Sequence, residues 1–168
     1  NLFSQKSDYF IRFDSVPGVL LGSEGQGYKL ALGTLDTFRP SVGAAACGLA
    51  LRARDEALRF VQARRQFGRP LSEFQATQMA LADMQAEIQG ARLLVRHAAW
   101  LKDTGAERIA AEGALAKLQA TEMAQRVVDR AVQLHGGLGV MRGATVERLY
   151  REVRSLRNRE YWVIREDG

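Results

Sequence analysis

The spacing of apolar positions changes along this chain. In YFIRFDSVPGVLL, Tyr9 to Leu21, apolar residues come close to alternating, which predicts a strand entering a Pro-Gly turn. From Pro40 the period turns helical: Val42, Ala46, Leu49, Ala53, Ala57 and Phe60 recur at steps of three and four, predicting a helix to about Arg64. Pro40 suits the first position of that helix, because the donor it lacks is one that no helix start uses. In RRQFGRPL, Gly68 offers a left-handed cap and Pro70 forbids continuation. A second stripe, Phe74, Leu81, Met84, Ile88, Ala91, Val95 and Ala98, predicts a helix opening at Ser72, whose spacing to Gln75 is that of a capping box. That helix stops at Gly105 in KDTG. A third stripe runs from Ile109 through Ala116, Ala120, Met123, Val127 and Ala131 to Leu134, and a fourth segment starts near Ala144 with Val146, Leu149, Tyr150 and Val153.

Helices joined by turns this short pack against their chain neighbours. The expected fold is therefore all-α, an antiparallel up-and-down four-helix bundle with a short N-terminal β and loop lead-in. Gly90 and Gly113 fall inside the second and third helices, where glycine costs about 1 kcal/mol relative to alanine. They are expected to mark close helix contacts.

Composition narrows the class. The chain has 168 residues, 46% of them apolar, which suffices for one globular domain with a core. No run approaches the roughly 20 apolar residues that span a bilayer, and Asn1 to Arg12 does not read as a signal peptide. The single cysteine, Cys47, lies in an alanine-rich helical stretch, so no disulfide framework exists and a reducing compartment with a buried thiol is expected. The net charge is +5, with arginines grouped at 64–69 and 148–159. Such a surface attracts polyanions, but acids are interspersed throughout and the chain has no polybasic tail.

Three stretches carry candidate chemistry. AVQLHGGLGVMRG, Ala131 to Gly143, is neither a Walker loop, since no Gly-Lys-Ser/Thr follows, nor a dinucleotide fingerprint, since it follows a helix and not a strand. Its glycines admit either a helix cap with its turn or the close approach of a pyrophosphate or amide edge. His135 has no second ligand at metal spacing, so no metal is expected, and His97 reads as a structural or surface histidine. RRQFGRPL sets Arg64, Arg65 and Arg69 at a helix end, where they complement the helix dipole or form a fork for phosphate. LDTFR places Asp36 and Arg39 one turn apart, at the least a local ion pair.

Taken in order, LLGSEGQGYKLALGTLDTFR, RRQFGRPLSEFQ, QLHGGLG and LYREVR resemble the C-terminal part of an acyl-CoA dehydrogenase. The resemblance covers nearly the whole chain. It implies that residues 1–24 are the tail end of the middle β-domain with its linker, and 25–168 the C-terminal helical bundle. By position, Asp36 and Arg39 would contact the acyl-CoA. Arg64 would meet the flavin pyrophosphate, with Gln66 and Phe67 beside it. Phe74 and Gln75 would lie along the cofactor, and Gln133, Gly136 and Gly137 would touch its adenine-side half.

The resemblance implies FAD as cofactor, held mainly by a neighbouring subunit, hence a homodimer or homotetramer. It also implies an electron-transfer flavoprotein as acceptor, no nucleic-acid or membrane partner, and a cytoplasmic or, in a eukaryote, mitochondrial-matrix location. The reaction would be α,β-dehydrogenation of an acyl-CoA thioester, with this chain the C-terminal part and not active alone. A glutamate takes the α-proton in that reaction, nine residues after the arginine of the YRD/YRE motif. Counting from Arg151, that position is Glu160. Its surroundings depart from the family pattern, because NREYW stands where IYEGT is expected. The departure keeps open a flavin oxidase or monooxygenase of the same fold. A non-catalytic helical module that binds a partner or nucleic acid is the third alternative.

Overall fold

The structure, a computed structural model, describes residues 14–157. Helix α1 spans Gly27–Ala63, and a two-stranded hairpin, β1 Arg65–Gln66 and β2 Arg69–Pro70, follows it. After a single 3-10 turn, Leu71–Glu73, come α2, Gln75–Asp103, and α3, Ala110–His135. A second 3-10 stretch, Gly136–Val140, leads to α4, Thr145–Leu156.

Contacts fix the directions. Gly43 of α1 lies against Val95 of α2 and Ala116 and Ala120 of α3. Farther along α1, Arg54 bonds Gln85, and Phe60 stacks on His135. So α2 runs against α1 and α3 runs with it. Arg157, beyond α4, pairs with Glu122, so α4 runs back along α3. The bundle is up-down-up-down, as expected. Its core joins Ala46, Ala50, Ala53 and Ala57 of α1 to Met84 and Ile88 of α2, Met123, Val127 and Val128 of α3, and Val146, Leu149 and Val153 of α4. The alanine face of α1 lets its neighbours approach closely, while the larger side chains come from the other three helices. Each fully buried Ile88- or Met84-sized side chain contributes about 1.5–3 kcal/mol.

Several expectations need correction. Pro40 does not start the helix but sits inside α1, which begins thirteen residues earlier at Gly27. Pro40 has no N–H to give the Asp36 carbonyl, and Gly113 of α3 packs over this point: a Cβ there would lie 3.2 Å from that carbonyl and 3.6 Å from the Pro40 ring. A close helix neighbour thus covers the residue that should have broken the helix. Gly113 marks a helix contact as expected. Gly90 does not, having no neighbour within 4 Å of an added Cβ. Gly68 is not a helix cap. Phe67 and Gly68, with φ of 52° and 81°, form the turn of the hairpin. Ser72 caps nothing by its side chain: α2 starts at Gln75 with Phe74 as its flanking residue, and the Ser72 carbonyl accepts a bond from Gln78 Nε2 at 3.0 Å.

The strand expected over 9–21 falls partly outside the described residues. Those of it that are described, 14–21, are irregular and exposed, with no strand beside them among the described residues to complete a ladder. Among the described residues no helix is long and apolar enough to cross a membrane. Cys47 is buried, and burial raises its thiol pKa against the opposing charge of Arg92.

Candidate functional site

The end of the bundle where α1 stops and α3 stops carries most of the residues singled out in the sequence. A groove of about 430 Å³ there is lined by Arg64, Gln66, Gln133, Gly136 and Gly137, with Phe60, Leu71 and His135 forming its apolar side. Local chemistry builds each wall. The backbone N–H of Arg64 still bonds the Phe60 carbonyl at 2.8 Å, then the chain turns extended and Leu71 N–H returns to the Arg64 carbonyl at 2.8 Å. This fixes the hairpin against the helix end. The Arg64 side chain is exposed and has no ion pair among the described residues, unlike Arg54, Arg126, Arg130 and Arg157.

Two positive-φ residues in succession give the hairpin the turn whose twist matches its strands, a turn that prefers Asn-Gly. Phe67 occupies the first of these places at φ 52° with its ring 91% exposed. A bulky residue in the left-handed region costs about 1–2 kcal/mol. The packing of this chain does not account for that conformation. Phe67 meets Phe74 edge-on with centroids 6.3 Å apart, and the Arg69 guanidinium lies 4.1 Å over the Phe74 ring. The sequence singled out Arg69 only as one of three arginines at a helix end; its contact with Phe74, on the far side of a turn, shows only in the folded chain. Gln75, next to Phe74, is exposed at the start of α2.

The glycines of QLHGGLG differ in purpose. Gly136 has φ 59° and ψ −142°, a region only glycine enters at low cost. Gly139 is buried, and a Cβ there would stand 2.5 Å from the Val132 carbonyl. Gly137 meets neither demand: its φ is ordinary and an added Cβ would touch nothing within 4 Å. It leaves the groove wall bare without any need inside the chain. His135 is held in the wall. Its Nδ1–H donates to the Ala131 carbonyl at 2.7 Å and its ring stacks on Phe60 at 4.4 Å, so its role here is to position the turn.

Asp36 and Arg39 are elsewhere. They lie 25 or more residues before Arg64 on one continuous helix, roughly 37 Å away at 1.5 Å per residue. Arg39 is 6% exposed and ion-paired with Asp36, which is the more accessible of the two. On the same stretch of α1, a depression of about 560 Å³ is lined by Lys29, Leu30, Gly33, Thr34, Thr37 and Phe38. Glu160 lies outside the described residues. The last described residue, Arg157, stands level with Glu122, nine residues along α3 from the Gly113 that packs on Arg39.

The comparisons with known proteins agree with each other. The family model described as "Acyl-CoA dehydrogenase, C-terminal domain" matches residues 25–160. The chain is 47% identical over 135 residues to a Bacillus subtilis protein named probable acyl-CoA dehydrogenase YngJ, covering 80% of this chain and 35% of that one. It is 43% identical to the acryloyl-CoA reductase (NADH) of Anaerotignum propionicum, covering 80% of this chain and 34% of the relative. Among solved structures, butyryl-CoA dehydrogenase from Megasphaera elsdenii superposes with a TM-score of 0.77 at 40% identity, covering 80% of this chain and 35% of that chain. The chain thus spans about a third of the length of these relatives.

Proposed function

This chain belongs to the acyl-CoA dehydrogenase family, as its C-terminal domain, and from that premise we propose that it is the helical part of an FAD-dependent enzyme that converts an acyl-CoA thioester to the trans-2-enoyl-CoA. The observation that carries the reading is the convergence of Arg64, Gln66, Gln133, Gly136 and Gly137 on one groove, with Phe67, Phe74 and Gln75 at the same end of the bundle.

The residues present fit such a cofactor. A guanidinium without an ion pair matches a pyrophosphate. An amide side chain and a glycine wall with no Cβ match a flat, hydrogen-bonding ring that must come close. Bound there, FAD supplies a hydride acceptor. The chain's own residues do the rest. Arg64 neutralises phosphate charge, Gln133 and Gln66 orient polar edges, and Phe67 and Phe74 present apolar rings that exclude water. Glu160 is the proposed base for the α-proton of the substrate. At the other end of α1, Asp36 and Arg39 form the contact to the acyl-CoA, with Asp36 reaching the ligand and buried Arg39 holding it in place.

The two sets lie roughly 37 Å apart along α1. We propose that the cofactor-end contacts reach an FAD held mainly by a neighbouring subunit, in a homodimer or homotetramer. An electron-transfer flavoprotein is the proposed electron acceptor. The 43% identity to an acryloyl-CoA reductase favours one second reading, the same hydride exchange run toward the saturated thioester.

The test is anaerobic mixing of the whole FAD-loaded enzyme carrying this domain with a series of acyl-CoA thioesters, followed by flavin absorbance. The proposal expects bleaching by a saturated thioester and its loss in Glu160→Gln. Bleaching by NADH and reoxidation by an enoyl-CoA, without any response to saturated thioesters, would support the reductase. Bleaching at the wild-type rate in Glu160→Gln would remove Glu160 from the mechanism.

A further inference from the structure

The first buried residue of α1 is Arg39, and the first buried residue of α3 is Gly113. The two meet. A Cβ at Gly113 would lie 3.2 Å from the Asp36 carbonyl oxygen, 3.6 Å from Pro40 Cδ and 3.7 Å from Arg39 Cβ. One glycine therefore faces the backbone of Asp36 and the stem of its ion-pair partner Arg39. N-terminal to Arg39, α1 continues for about three turns with no buried residue. Among the described residues, the Asp36–Arg39 pair thus sits on the last turn of α1 that the bundle supports.

Two features make the position of the pair depend on this contact. Pro40 has no N–H to give the Asp36 carbonyl, so the hydrogen-bond ladder of α1 is interrupted at the pair. Against that gap stands α3, and the absence of a side chain at 113 sets how near it comes. Glycine weakens a helix relative to alanine, and the φ of Gly113 lies outside the left-handed region, so backbone conformation does not call for it. The approach to Asp36, Arg39 and Pro40 does. Gly43 is the matching glycine on α1. A Cβ there would stand 2.9 Å from Val95 Cγ2 and 3.3 Å from the Ala116 carbonyl oxygen. It closes the same crossing, yet it faces α2 and the body of α3 and not the pair.

We propose that Gly113 is a positioning residue, which holds the Asp36–Arg39 pair at the place from which Asp36 reaches the acyl-CoA. This rests on the function proposed above, which gives the pair to that ligand. A methyl at 113 requires the Asp36 backbone to give by a few tenths of an ångström. That is enough to shift a carboxylate against its ligand and too little to unfold the bundle. The groove at the other end of α1 lies about 37 Å from the pair and does not feel the shift.

The test uses the whole FAD-loaded enzyme carrying this domain, assayed with a saturated acyl-CoA, with FAD affinity and melting temperature measured on each variant. Gly113→Ala is expected to raise KM about threefold or more with kcat unchanged, the pattern of binding lost equally from ground and transition state. Its FAD affinity is expected to match wild type. Gly43→Ala, which perturbs packing at the same crossing, is expected to leave KM unchanged. Asp36→Ala is itself expected to raise KM, and adding Gly113→Ala to it is expected to raise KM no further, because changes that act through one contact are not additive. An equal rise in KM from Gly43→Ala and Gly113→Ala would make the effect one of packing and overturn the proposal. So would full additivity of Gly113→Ala with Asp36→Ala. A raised KM in Asp36→Ala beside an unchanged KM in Gly113→Ala would overturn this proposal alone. An unchanged KM in Asp36→Ala would overturn the assignment of the pair to the acyl-CoA, and this proposal with it.

Discussion

A glycine tells most when the chain has no use for it. Gly136 and Gly139 are required by backbone conformation and by the Val132 carbonyl, whereas Gly137 is required by nothing within the described residues. The sequence left these three indistinguishable, because φ and the position of a carbonyl two turns back are properties of the folded turn. The structure separates them into testable roles. Gly139→Ala forces a methyl against backbone and is expected to destabilise the chain by about 1–3 kcal/mol in urea unfolding. Gly137→Leu is expected to leave stability within about 0.5 kcal/mol, yet to weaken FAD binding at least tenfold in the whole enzyme, measured by flavin fluorescence. Undiminished binding in Gly137→Leu would mean that the bare wall serves no ligand.

At the scale of elements, the hairpin and the α2–α3 seam behave differently. Phe67 sits in a turn position that Asn fits better. Phe67→Asn is expected to raise the melting temperature slightly while loosening the cofactor, a division that a purely structural role for the ring would not produce. Across the seam, Glu87 accepts from Arg126 at 2.8 Å and also from Arg130. Partial burial pushes its carboxyl pKa up, but the hydrogen bonds and charges of the two arginines outweigh that and hold it below the usual glutamate value. A depressed folded-state pKa means stability present above the unfolded value and lost as pH falls through the folded one. Glu87→Gln is therefore expected to be about 1 kcal/mol less stable than wild type at pH 7. The two are expected to converge as pH falls past the ordinary glutamate value of about 4.3 and through the lower folded-state one, as followed by urea unfolding from neutral to acid pH.

Element periods were legible in the sequence because each stripe of Val, Ile, Met and Ala obeys the 3.6-residue repeat. The continuation of α1 through Pro40 was not, since a proline there reads as a helix start, and the packing of Gly113 of α3 against the Asp36 carbonyl is a property of the folded bundle. The hairpin was not either, because RRQFGRP carries a cap signal and a turn signal at once.

For the molecule as a whole, the length of α1 sets the distance between the two groups of candidate residues. It holds Asp36 and Arg39 near one end of the bundle and delivers Arg64 to the other. The motifs named the family from sequence, and no spacing along the chain alone revealed that the proposed substrate set and the proposed cofactor set lie apart. Only a continuous helix across Pro40 fixes that separation. The central claim is that the groove at the end of α1 and α3 binds the flavin of an acyl-CoA dehydrogenase. Its most direct test is FAD titration of the whole enzyme carrying this domain, wild type against Arg64→Ala, with thermal unfolding of both apoproteins. Exposed and without an ion pair among the described residues, Arg64 is expected to be dispensable for folding, so the melting temperature should hold while FAD affinity falls at least tenfold. Equal FAD affinity in the two proteins would contradict the account.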